Sequence, residues 1–128
     1  MYPEELKYTA DHEWVSSLSD QGSVRVGITQ YAQDALGDIV YVQLPEIGVE
    51  VEAQDAIGEL ESTKSVSDVF APVSGTIVAR NEALDANPEL CNNDPYGDGW
   101  ILEMSVRDSA VLETLMSSDD YEATITSK

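Results

Sequence analysis

Apolar and polar residues alternate along much of this 128-residue chain, the period-two pattern of strands with one buried face and one wet face. The alternation is clearest in Ala56–Ser62 and Val66–Ala71, which are separated only by Thr63, Lys64 and Ser65. Two strands joined by a short turn, with a lysine at its centre, are predicted there. Ser23–Gly27 alternates as cleanly, and Asp38–Leu44 is rich in β-branched residues and closed by Pro45, which suits a strand that must end. Shorter extended runs are Tyr8 with His12–Val15 as an entry hairpin, Val49–Val51, Thr76–Ala79 after the Ser74-Gly75 turn, and Trp100–Val106 as a core strand.

Helical spacing appears in few places. Thr29 offers an N-cap oxygen to Gln30–Leu36, with Tyr31, Ala35 and Leu36 on one side and Gly37 as the stop. Asn81–Gly99 carries Asn-Pro, Asp-Pro and Gly-Asp-Gly turn chemistry, so it reads as a long surface connection with one helical turn near Glu89. Asp108 can cap a helix through Met116, and Ser118 or Asp119 a last short helix through Ile125. Val51–Asp55 and Ile77–Asn81 echo one another faintly and would place the Lys64 turn near a pseudo-twofold axis. The expected fold is mainly β, a flattened β-barrel or sandwich hybrid with a short helix after the first strands and a helical C-terminal extension.

Length and composition fit one domain that buries roughly two-thirds of its unfolded surface. With 25 acids against 6 bases the formal charge is −19, which repels a phosphate backbone and an anionic membrane surface. No apolar run approaches the ~20 residues of a membrane span. The first residues hold acids and no arginine before Arg25, so neither a secretory nor a mitochondrial segment is expected, and the mature start falls near Met1. A single cysteine, Cys91, allows no internal disulfide and favours a reducing, cytoplasmic setting.

The same inventory removes most enzyme chemistry. His12 is the only histidine, so a site of several imidazoles is impossible and a Cys-His pair would need Cys91 with His12. Between Asp11 and Glu13, in an expected surface strand, His12 is read as structural or solvated and not catalytic. Glu59 and Glu61 share a strand face, ordinarily a solvated one in so acidic a chain. Asn92–Asp98 is rich in oxygen but lacks calcium-loop spacing. Trp14, Trp100, Tyr41 and Phe70 are expected to pack in the core. Lys64 stands apart, one of three lysines, with Lys7 and Lys128 far from it. A lone ammonium held out by two strands could be an ordinary solvated turn residue or an amine offered for covalent attachment.

Ordered blocks decide between those readings. Asp11-His12-Glu13-Trp14, Val26 to Gln33, Leu36 to Pro45, Glu61-Ser62-Thr63-Lys64-Ser65, Ser67-Asp68, Ala71 to Gly75, Pro95-Tyr96-Gly97 and Gly99-Trp100 together resemble the glycine cleavage H-protein family, lipoyl carriers related to lipoyl and biotinyl domains. The resemblance runs almost end to end. It implies a single lipoyl-domain-like unit over 1–128, with a core at about 23–106 and C-terminal helices at about 108–126. It also implies lipoate in amide linkage to Lys64, on a turn of Glu61, Ser62, Thr63 and Ser65 that lipoylating enzymes recognise.

By the same resemblance the protein is a carrier and not a catalyst. Its arm would take an aminomethyl group from the pyridoxal-phosphate glycine decarboxylase (P protein) and present it to the tetrahydrofolate-dependent aminomethyltransferase (T protein). Dihydrolipoamide dehydrogenase (L protein) would then reoxidise it. The loaded arm would fold back into a cleft that excludes water, with Glu13 as acceptor for the amine. Several relatives have a histidine at the position of Tyr31, which contacts the arm; a phenol can stack and hydrogen-bond but not titrate near neutrality. A monomer suits a carrier that shows one face to successive enzymes. A biotin carrier typically flanks its lysine with methionines, a 2-oxoacid dehydrogenase domain with Asp-Lys-Ala, and an acidic interaction module would ignore Lys64.

Overall fold

The computed structural model describes residues 3–126; Lys128 and both ends of the expected domain lie outside them. Among the described residues nine strands form two antiparallel sheets. Six strands, β1 (Lys7–Tyr8), β2 (Glu13–Val15), β3 (Ser23–Ile28), β5 (Glu50–Val51), β8 (Gly75–Arg80) and β9 (Leu102–Val106), lie in the order β1-β2-β3-β9-β8-β5. The remaining three, β4 (Ile39–Gln43), β6 (Ala56–Ser62) and β7 (Val66–Phe70), lie in the order β4-β6-β7. The fold is mainly β, as expected of a barrel-sandwich hybrid, and its two sheets do not close into a barrel.

Alternation fixes the packing. Val24 and Val26 on β3, Val42 on β4, Leu60 on β6, Val69 on β7, Ile77 on β8 and Met104 on β9 join one buried cluster, while Arg25, between two buried valines, is exposed. Each such aliphatic side chain contributes ~1.5–3 kcal/mol on burial. A second cluster gathers Leu6, Tyr8, Trp14 and Tyr121. There the Trp14 indole lies against Gly27, its cross-strand partner, where a β carbon would come within 2.6 Å, so no larger residue fits.

The first helix, α1 (Gln30–Leu36), forms as predicted: the Thr29 hydroxyl accepts from the Ala32 N–H, and Gly37, at φ 83°, donates its N–H to the Gln33 carbonyl. Its inward face differs, however. Gln33 and Leu36 are buried and Ala35 is exposed, because Gln33 has a polar partner inside. The 81–99 connection is also more ordered than its turn residues suggested. It holds two helical turns, α2 (Ala83–Ala86) and α3 (Leu90–Asn93), which bury Leu84 and Cys91.

Asp108 does cap a helix, through the Ala110 N–H, but the segment Ser109–Thr114 is 3-10. The last helix, α4 (Ser118–Thr126), is capped one residue earlier than expected, since the Ser117 hydroxyl accepts from the Asp120 N–H. Asp119 and Asp120 in its first turn suit the helix dipole. The echo of 51–55 in 77–81 has no structural counterpart: Ile77–Arg80 is strand, whereas the chain after Val51 turns, with Gln54 at φ 78°.

Candidate functional site

The β6–β7 hairpin presents Lys64 at its tip. Ser62 makes the turn rigid with one hydroxyl: it donates to the Ser65 carbonyl at 3.1 Å and accepts the N–H groups of Lys64 at 3.1 Å and Ser65 at 3.0 Å. The Ser62 N–H also donates to the Ser65 carbonyl at 2.8 Å. Ser62 is buried, while Glu61, Thr63, Lys64 and Ser65 are exposed. Serine is used here for its capacity to mimic backbone hydrogen bonds across three residues.

The turn is also anchored to its neighbours. The Thr63 N–H donates to the Asp38 carbonyl at 3.1 Å, and the Lys64 stem passes over Gly37. A β carbon at Gly37 would stand 3.0 Å from Lys64 Cε, and the positive φ there independently favours glycine. The cross-strand row beside the turn runs Tyr41, Glu61, Val66. Tyr41 and Val66 are each more than half exposed, so Tyr41 is not a core residue, and Phe70 and Trp100 are only half-buried. The three arginines are ion-paired, Arg25 with Glu103, Arg80 with Glu82 and Arg107 with Glu52. Among the described residues Lys64 has no ion-pair partner.

Glu13 occupies a different environment. It is 2% exposed, with Oε1 accepting from the Thr9 hydroxyl at 3.2 Å and Oε2 from the Phe70 N–H at 2.7 Å. Burial raises its pKa from 4.5 to about 8; the Phe70 hydrogen bond opposes the shift, Asp11 adds to it and the Thr9 bond opposes it. Phe70 is four residues along β7 from Val66, roughly 13 Å at ~3.3 Å per residue. Glu13 therefore meets the hairpin at the end opposite Lys64.

Tyr31 packs against the His12 ring, with centroids 4.6 Å apart. His12 is not in a surface strand: it turns the chain at φ 69° and its Nδ1 lies 2.7 Å from the Tyr121 hydroxyl. That hydroxyl also lies 2.8 Å from Thr29 Oγ1, and the Tyr121 ring stacks on Tyr8 at 4.9 Å. So Tyr31 packs on His12 while Glu13 bonds to Thr9 and Phe70, and neither is in the Lys64 turn.

Cys91 pairs with the Gly99 carbonyl and not with His12, and burial pushes its thiol up to about 12, which leaves it unreactive. No metal-ligand cluster occurs among the described residues. Of the expected turn at Asn92–Asp98, Asn92 and Asn93 instead close α3, and the turn follows them: Asp94 accepts the Asp98 N–H at 2.9 Å. A cavity of about 380 Å³ lies between Pro72, Val73, Arg107 and Val111, and another of about 350 Å³ is lined by Thr9, Pro72 and Met116; neither has Lys64 in its wall.

Sequence reasoning located the turn but missed its supports. Gly37 was read only as a helix stop, and Asp38 only as the start of a strand. Thr9 and Tyr121 carried no signal, since their partners are distant in sequence.

Known proteins match the whole arrangement. The family model described as glycine cleavage H-protein matches residues 6–128. The chain is 58% identical to the glycine cleavage system H protein of Micrococcus luteus, covering 93% of each. It is 53% identical to that of Mycobacterium avium, over 97% of this chain and 96% of the relative. The crystal structure of a glycine cleavage system H protein from Mycobacterium marinum superimposes with a TM-score of 0.85 at 43% identity, covering 98% of this chain and 99% of that one.

Proposed function

This chain belongs to the glycine cleavage H-protein family, whose members are carriers and not catalysts, and we propose that it shuttles an aminomethyl group on a lipoyl arm attached to Lys64. The carrying observation is the tip of the β6–β7 hairpin: an exposed primary amine, without an ion-pair partner among the described residues, on a turn closed by the Ser62 hydroxyl. The fit is chemical. Acylation needs a reachable lysine nitrogen, and the three arginines, besides being ion-paired, offer none.

The chain's own residues then have separable tasks. Ser62 and the Asp38 carbonyl hold the turn so that the stem leaves from a fixed point, which raises the local concentration of a tethered group at each partner. Glu61, Thr63 and Ser65 present exposed polar groups beside the amine, and they are the surface that a lipoylating enzyme would read. When bound, lipoate supplies a dithiolane that takes up, carries and releases the aminomethyl unit. Glu13 is our candidate acceptor for the amine of that unit. As a carboxyl poised near neutrality it can ionise when a cation approaches, provided the Thr9 or Phe70 contact yields. Tyr31 is the second candidate, through its ring beside His12.

The partners in this reading are the glycine decarboxylase, the aminomethyltransferase, dihydrolipoamide dehydrogenase and the lipoylating enzymes. The body acts as one lipoyl-domain-like unit and as a monomer, in a reducing cytoplasm that suits its lone buried thiol. No helix among the described residues is long and apolar enough to cross a membrane.

Intact mass of the chain purified from its native host tests the assignment. A lipoyl increment that disappears in Lys64→Arg is expected, together with loss of glycine cleavage in a reconstituted system. A biotin increment would move the protein to a carboxylase, and an unmodified chain under lipoate sufficiency would overturn the carrier reading.

A further inference from the structure

The 81–99 connection grips α1 at both ends. At the start of the helix the Gln30 N–H donates to the Tyr96 hydroxyl at 2.8 Å. At the other end one side chain, Asn92 on α3, makes three hydrogen bonds. Its Nδ2 donates to Gln33 Oε1 at 2.7 Å and to the Gly37 carbonyl at 2.8 Å, and its Oδ1 accepts the Ile39 N–H at 2.8 Å. These bonds bracket Asp38, the residue whose carbonyl receives the Thr63 N–H. They also fix Gly37, over which the Lys64 stem passes.

We propose that Asn92 is a positioning residue for Lys64, holding the 37–39 segment on which the attachment turn rests. The inference rests on the carrier reading and extends it to a residue far along the chain. Only an amide serves all three bonds, because the site offers two acceptors and one donor. A carboxylate in its place would face the Gly37 carbonyl and Gln33 Oε1 with a third acceptor. A methyl would leave Ile39, Gly37 and Gln33 without their partner. The methyl removes the whole brace and the carboxylate the two bonds donated by the amide nitrogen, so in either case the 37–39 segment is held less firmly and the Lys64 turn spends less time in the geometry an acylating enzyme can use. A smaller competent fraction raises the apparent dissociation constant in proportion while leaving the bound chemistry unchanged.

Lipoyl transfer to the full-length unmodified chain, catalysed by a lipoate ligase supplied with lipoate and ATP and followed by intact mass, provides the test. The wild type, Asn92→Ala, Asn92→Asp and Tyr96→Phe are compared, and amide hydrogen exchange is measured on each. The expected result is a KM for the protein substrate raised about tenfold in both Asn92 variants with kcat unchanged. Faster exchange at Thr63 should accompany it in both variants, and at Ile39 in Asn92→Ala, which alone loses the Ile39 acceptor, without change in the β3–β9 ladder. Tyr96→Phe removes the hydroxyl at the opposite end of α1 and should leave both readouts as in the wild type.

An unchanged KM and unchanged Thr63 protection in the Asn92 variants would overturn the inference. So would an equal rise in Tyr96→Phe, which would trace the effect to α1 as a whole. Should Asn92→Ala not fold, Asn92→Asp, which keeps the acceptor for Ile39, carries the comparison. Failure of the wild type to take a lipoyl group at Lys64 is a different result and strikes the carrier reading itself.

Discussion

The Lys64 turn and the corner around Glu13 and Tyr121 lie in the same protein but are built in opposite ways. The turn is held largely by bonds between near neighbours, with the Ser62 hydroxyl reaching no further than Ser65. The corner joins His12 to Tyr121, Thr29 to Tyr121 and Glu13 to Phe70, pairs separated by 109, 92 and 57 residues. The turn is exposed, with its lysine stem over Gly37; in the corner, Tyr8, Glu13, Thr29 and Tyr121 are buried. What the difference teaches is a division of labour: an exposed turn can change chemically without disturbing the core, because almost nothing in the core depends on it.

The comparison can be broken most forcefully at Tyr121. Tyr121→Ala removes a fully buried ring, its stack on Tyr8 and its hydroxyl contacts, and should lower unfolding free energy by ~3–5 kcal/mol, read from urea titration. Glu13 comes next. Its pKa is raised on folding from 4.5 to about 8, so the folded state holds a proton that the unfolded state releases between those values. Its stabilising contribution is complete below 4.5 and is lost as pH rises through about 8, with a slope no steeper than ~1.4 kcal/mol per pH unit. Glu13→Gln should flatten the pH dependence of stability across that window; an unchanged profile would show that Glu13 is ionised throughout.

Ser62→Ala deletes the hydroxyl that serves three backbone groups of the turn, and a loss of ~1–2 kcal/mol is expected. Hydrogen exchange should quicken at Lys64 and Ser65 and stay slow at Val26 and Met104; quickening everywhere would mean the turn is not separable from the core. The smallest effect on stability belongs to Lys64→Arg, within ~0.5 kcal/mol of the wild type. A larger loss would show that the stem contributes to packing and would erase the contrast between the two regions.

How legible each region was follows from the same contrast. Alternation gave both strands of the hairpin, and Thr29 and Gly37 gave both ends of α1, because those signals act within a few residues. β2 was harder: Glu13, Trp14 and Val15 are all buried, so its acid shows no wet face by which periodicity could place it. Tyr41 misled in the other direction, since a three-stranded sheet leaves one face of β4 to solvent. The helical turns at Ala83–Ala86 and Leu90–Asn93 are too short for a helical period to emerge among prolines and asparagines. Asn92 looked like turn chemistry, and only its partners at 33, 37 and 39, brought beside it by the fold, give it a further task.

Gly37 has a mechanical consequence. The lysine stem leaves the body across a residue with no side chain, so the first joint of any arm built on Lys64 turns above bare backbone. The clearance is narrow: a single added methyl would stand 3.0 Å from Cε. A tether is only as mobile as its first joint, and the mount is cut flush where an arm on Lys64, as proposed, would begin to swing.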